Sequence, residues 1–203
     1  MYGKHVSMGM QDEDHLAGGG LPVAWLEQVA GCLSATVDSN RCRRAARGRP
    51  VTGFDTLTSA SVSIEDYVAR VGEYCYATAP AYVLSLLYMT RYAHTTALPI
   101  SQRNVHRLFV VCLLVAFKFV DDHTCTNEFY AHVTGMSVKE LNRLENELMR
   151  VLDWQLTFTE TEYKRYDHFI SAQGTEDGQD ICFSDAPTDV GSCVLSDFAD
   201  DLC

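Results

Sequence analysis

Residues 101–122 read SQRNVHRLFVVCLLVAFKFVDD, and the ten from Leu108 to Phe117 are apolar without interruption. A bilayer-spanning helix needs about 20 such residues, so the run is too short to cross a membrane. Valine is frequent enough to suit a buried strand, but the segment exceeds usual strand length and opens on Ser101, a favoured helix N-cap residue. The stretch is therefore predicted to be a helix, apolar on nearly every side. A helix of that kind sits at the centre of a fold with others packed around it. Lys118 is the odd residue, a cation near the C-terminal end of a core helix.

The flanking sequence supplies further helices. Pro80 suits the first turn of one that carries Val83, Leu84, Leu86, Leu87, Met89 and Tyr92 and stops near His94, ahead of Pro99. Before it, Ser63 with Asp66 signals the start of a helix over 64–77, with Tyr67, Val68, Val71, Cys75 and Tyr76 as its apolar stripe. On the other side, Thr126 caps a short helix through Phe129, Tyr130 and Val133, closed by Gly135. Ser137 and Glu140 form a capping box that opens a helix running to about Leu152. Its Leu141, Leu144, Leu148, Val151 and Leu152 fall within one arc, and Glu145 and Met149 lie on the solvent shoulder of that arc. Thr159 and Glu162 cap a last short helix holding Tyr163, Tyr166, Phe169 and Ile170. No strand pattern and no long repeat occurs. The fold class expected is all-α: five closely connected helices around a buried central one, with a sixth after them.

A chain of 203 residues has the mass for one such domain and two tails. Residues 1–57 are expected to be mostly flexible, with a short helix over 21–33 that places Leu21, Trp25, Val29 and Leu33 at near-helical spacing. The ordered domain is expected over 58–172, and 173–203 reads as a disordered acidic tail. Arg41, Arg43, Arg44, Arg47 and Arg49 form a basic cluster in the first tail, suited to nuclear import or an acidic partner, or to a solvated linker. The net charge of −11 argues against nonspecific nucleic-acid binding, which depends on Lys and Arg neutralising phosphates. Eight cysteines lie far apart with no CxxC, and Cys112 sits inside the apolar run, so free thiols in a reducing compartment are expected. The N-terminus shows no basic stretch followed by an apolar one, so no signal peptide is read there and cytoplasm or nucleus is expected.

One constellation suggests enzymatic chemistry. Asp121, Asp122, His123, Glu128 and His132 offer carboxylates and imidazoles for metal-assisted hydrolysis, with Glu128 and His132 four apart on one helical face. Their spacing fits no dedicated metal motif, and a polar turn between two helices accounts for them as well. His94, His106 and His168 stand singly. Gly18, Gly19 and Gly20 lack the strand and helix that would make a phosphate loop, and no cofactor is expected.

The quartet of segments Ser63-Ile64-Glu65-Asp66-Tyr67, Asn104-Val105-His106-Arg107-Leu108, Ala116-Phe117-Lys118-Phe119 and Glu140-Leu141-Asn142-Arg143-Leu144-Glu145, in that order, resembles the cyclin box. The likeness runs from about Phe54 to Ile170 and is strongest to the single-box cyclins of the fungal phosphate-signalling group and the plant P/U-type group. It implies a non-enzymatic regulatory subunit that pairs with a cyclin-dependent protein kinase as a heterodimer and activates it, in cell-cycle or phosphate signalling, without nucleic acid or membrane. It also implies that Lys118 and Glu145 grip kinase backbone groups, with apolar contacts from Phe119, Met149 and Trp154. The first box helix has no MRAIL-type sequence, and the 33 residues from Ser171 onward are too few and too polar for a second box. A helical adaptor that binds without activating shares the same expected fold.

Overall fold

The computed structural model describes residues 21–41, 52–57, 60–122 and 124–173. Among them it holds seven helices and no strand: α1 (Val23–Ser39), α2 (Ile64–Cys75), α3 (Ala79–Thr96), α4 (Val105–Val120), α5 (Asn127–Thr134), α6 (Val138–Val151) and α7 (Glu160–Ala172). No helix among these residues is long and apolar enough to cross a membrane.

The apolar run predicted to be central is central: every residue from Leu108 to Phe117 is buried. It does not occupy the middle alone, because α3 lies along it and buries every residue from Ala81 to Thr90. The sequence pattern of α3 concealed this, since Ser85 and Thr90 interrupt its apolar face. Their hydroxyls donate within the helix, to the carbonyls of Tyr82 at 2.6 Å and Leu86 at 3.0 Å, so neither needs water. The core is thus a helix pair wrapped by five others. Burial pushes the Cys75 thiol up to about 12, and it serves in this core as a small apolar filler rather than a nucleophile. Among the described cysteines, Cys32, Cys75, Cys112 and Cys125 are free.

The helix starts follow the capping signals with two corrections. Ser63, Thr126, Ser137 and Thr159 each accept a hydrogen bond from the amide three residues on. The reciprocal half of the box exists at Thr159, whose amide donates to the Glu162 carboxylate at 2.8 Å. At Ser137 it does not, because the Glu140 carboxylate pairs instead with Arg107 of α4 at 2.8 Å. The second correction concerns Ser101, which is not the cap of α4. Asn104 is, and it holds the preceding turn by accepting from the Ser101 amide at 2.7 Å. Three helix ends turn on left-handed residues: Tyr76 (φ 49°) stops α2 at Cys75, short of the expected residue 77, Ala97 (φ 53°) ends α3, and Gly135 (φ 72°) closes α5 as expected.

The N-terminal helix departs furthest from expectation. It runs from Val23 to Ser39 rather than over 21–33, and Val29, Cys32, Leu33 and Val37 are buried in the same core as the rest. It packs against both α2 and α7, so it ties the second helix of the fold to the last. At Gly72 of α2 an added Cβ would run into the Leu26 side chain, which shows how closely the two helices approach. Residues 52–57, expected to belong to the flexible extension, form a strap instead. Thr56 and Arg103 exchange hydrogen bonds, the Gly53 amide donates to Glu147 at 3.3 Å, and Phe54 is fully buried with its ring edge-on to Tyr92 at 5.1 Å. Phe54→Ala is therefore expected to destabilise the fold by about 3–5 kcal/mol, from lost transfer energy and the cavity left behind. Denaturant unfolding measures it, and a midpoint within error of wild type would remove the strap from the core. The flexibility expected for residues 1–20, the cluster beyond Arg41 and the acidic tail fall on residues 1–20, 42–51 and 174–203, outside the described ones. Arg41 itself pairs with Asp38 at 3.2 Å.

Candidate functional site

Helix α4 ends where α6 crosses it, and this crossing brings Lys118 and Glu145 together. Lys118 stands in the last turn of α4, where a cation also meets the negative end of the helix dipole. Its Nζ donates to Glu145 Oε1 at 2.6 Å, with the two side chains 35% and 21% exposed. The other carboxylate oxygen, Oε2, accepts from Asn127 Nδ2 at 2.8 Å, and the same amide nitrogen lies 2.6 Å from Asn142 Oδ1. Asn127 opens α5, so three helices fix the orientation of one carboxylate. Sequence reading missed Asn127 and Asn142. Asparagine at a helix start reads as a capping residue, and only the packing of α5 on α6 reveals its second role.

The pair is not saturated. An ammonium has three donors and a carboxylate about four acceptor positions, so each partner keeps capacity after the contacts just described. A cation and an anion held this way can donate to a carbonyl and accept from an amide of a second chain without parting.

Apolar side chains flank the pair. Phe119, next to Lys118, is 43% exposed and meets the edge of Phe158, ring centres 6.5 Å apart. Met149, one turn beyond Glu145 on α6, is half-buried against the core. Trp154 follows the end of α6 and is 67% exposed, the backbone amide donating to the Met149 carbonyl at 3.0 Å. Both Asp153 and Trp154 take left-handed φ, 49° and 59°, a conformation unfavourable by about 1–2 kcal/mol for a residue with a Cβ. Of the five residues singled out in the sequence, Lys118, Phe119 and Glu145 lie at the α4–α6 crossing, Met149 lies one turn further along α6, and Trp154 follows the end of that helix.

The alternative metal set is not brought together. Asp121 accepts from the Thr78 hydroxyl at 3.0 Å, which fastens the end of α4 to the start of α3. Asp122, Glu128 and His132 are exposed, and His123 lies outside the described residues. No three His, Cys, Asp or Glu among the described residues are placed to share an ion.

An all-helical fold built on a buried helix pair thus presents a polar pair and an exposed aromatic side chain at one crossing, groups suited to binding another chain. A family model described as Cyclin matches residues 23–156, and the chain belongs to the cyclin family. The match begins at the first residue of α1, the helix that sequence reading had set outside the box. Cyclin-U4-1 of Arabidopsis thaliana is 30% identical over 154 residues, which is 75% of this chain and 76% of that protein. Cyclin-P1-1 of Oryza sativa subsp. japonica is 36% identical over 135 residues, 66% of this chain and 48% of that protein. Cyclin-U1-1 of Arabidopsis thaliana is 36% identical over 121 residues, 59% of this chain and 57% of that protein. The chain thus spans about half the length of these last two. The resemblance to single-box plant P/U-type cyclins holds.

Proposed function

We propose that this chain binds a cyclin-dependent protein kinase as a heterodimer and activates it, contributing no catalytic group of its own. The observation that carries the reading is the Lys118–Glu145 pair, buttressed by Asn127 and left with spare donors and acceptors beside exposed Phe119, with Trp154 exposed after the end of α6. Polar groups with unfilled capacity next to exposed aromatic side chains are what a protein interface uses as anchors. Lys118 and Glu145 take kinase backbone groups, and Phe119, Met149 and Trp154 supply apolar area. Cytoplasm and nucleus are the compartments proposed.

Lys118→Ala and Glu145→Ala are each expected to weaken kinase binding about tenfold to a hundredfold. The cause is the loss, at a desolvated interface, of charged partners for kinase backbone groups, about 1–3 kcal/mol each. Stability should change little, since a partly exposed ion pair contributes about 1 kcal/mol or less. The double variant should fall short of additivity, because each residue orients the other. Titration calorimetry with a purified cyclin-dependent kinase, paired with melting curves, decides it. Unchanged affinity in both variants, or a loss explained wholly by unfolding, takes these residues out of the interface.

A further inference from the structure

We infer that Arg91 and Tyr88, one turn apart on α3, are positioning residues that hold Trp154 in its projecting pose for the partner; this rests on the reading of Trp154 as a kinase anchor. The segment after α6 is held from outside. The Tyr88 hydroxyl donates to the Leu156 carbonyl at 2.8 Å. Arg91 Nη1 donates to the carbonyls of Gln155 at 3.1 Å and Thr157 at 2.9 Å, and Nη2 to Glu162 Oε1 at 2.9 Å. Two side chains of one helix therefore take three successive carbonyls, immediately after two successive left-handed residues. Neither Asp153 nor Trp154 is glycine, and a non-glycine residue keeps such a conformation only where its surroundings over-determine it. The same segment exposes one of the two tryptophans of the chain, with 67% of Trp154 open to solvent.

The two residues suit the task for different reasons. The Tyr88 ring is fully buried, so its hydroxyl emerges from the core at a fixed point. The planar fork of Arg91, 17% exposed, reaches two carbonyls and a carboxylate at once, which a lysine ammonium on a flexible stem does not match. Without the latch the turn is free to leave its left-handed pair of residues, and the indole loses its single pose. Ordering it again on binding then weakens the complex.

The test uses the full chain and a purified cyclin-dependent kinase that binds it in titration, with wild type, Tyr88→Phe, Arg91→Ala, Arg91→Lys, Trp154→Ala and the double variant Tyr88→Phe/Trp154→Ala. Two quantities are read: the NMR order parameter of the Trp154 indole N–H, and kinase affinity. In Tyr88→Phe and Arg91→Ala the order parameter should fall from the rigid range near ~0.85 to below ~0.6. Affinity should fall about tenfold, with Arg91→Lys recovering part of both. Tyr88→Phe keeps the buried ring, so the fold is retained in at least that variant. The double variant should bind no more weakly than Trp154→Ala alone, because the latch acts through the indole. Unchanged indole order, or an affinity loss that adds to that of Trp154→Ala, overturns the assignment. If wild type binds no cyclin-dependent kinase yet the order parameter falls, the kinase reading fails and the latch stands.

Discussion

Leu114→Asp is expected to leave the chain unfolded. Leu114 is fully buried near the middle of α4, with apolar residues on both sides of it in sequence and α3 packed along the helix. A short carboxylate there cannot reach water, so it is held either as an unpaired charge or as a protonated acid without partners. The lost leucine packing adds about 3–5 kcal/mol to that penalty. Together these match the 5–15 kcal/mol margin of an ordinary domain. Far-ultraviolet circular dichroism with a thermal melt is the check, and Leu114→Ala serves as the graded control, weakened but folded. Native helicity and an unshifted melting temperature in the aspartate variant would move α4 out of the core.

A chain begun at residue 58 is expected to lose its cooperative transition, whereas one begun at residue 21 keeps it. The shorter piece lacks the buried side chains of Leu26, Val29, Leu33, Val37 and Phe54. At roughly 1.5–3 kcal/mol each, these contribute on the order of 10 kcal/mol, as much as a whole domain has to lose. It also bares the faces of α2 and α7 that α1 covers. Melting the two fragments side by side measures this. An equally sharp, equally high transition in the 58-start fragment would return α1 and the strap to the status of an extension.

The sequence was legible where local rules decide the outcome. The four Ser or Thr caps and the glycine at the end of α5 act through neighbours three or four residues away, and each marks an observed helix end. The unbroken apolar run of α4 similarly states its own burial. What escaped depends on distant contacts. Helix α1 is expected from its spacing over 21–33, but with no side-chain cap at its start, its reach to Ser39 and its burial are visible only once α2 and α7 are in place. Phe54 lies between two turn-like stretches, and nothing local says that Tyr92 waits for it. At the site, Lys118 and Glu145 came from a family likeness rather than from spacing, since 27 residues separate them. Asn127 and Arg91 came from neither source; a lone asparagine and a lone arginine become informative only when their hydrogen-bond partners are known.

The central claim is that this cyclin-family chain activates a kinase, and phosphoryl transfer measures it directly. Purified monomeric cyclin-dependent kinases are assayed for phosphate transfer to a peptide substrate, alone and with rising amounts of the chain. At least one kinase should gain activity that saturates at a one-to-one ratio, and the gain should shift to higher concentrations with Glu145→Ala. A kinase that binds at the Lys118–Glu145 surface but gains no activity would contradict activation and leave an adaptor, and no binding to any of them would contradict the account as a whole.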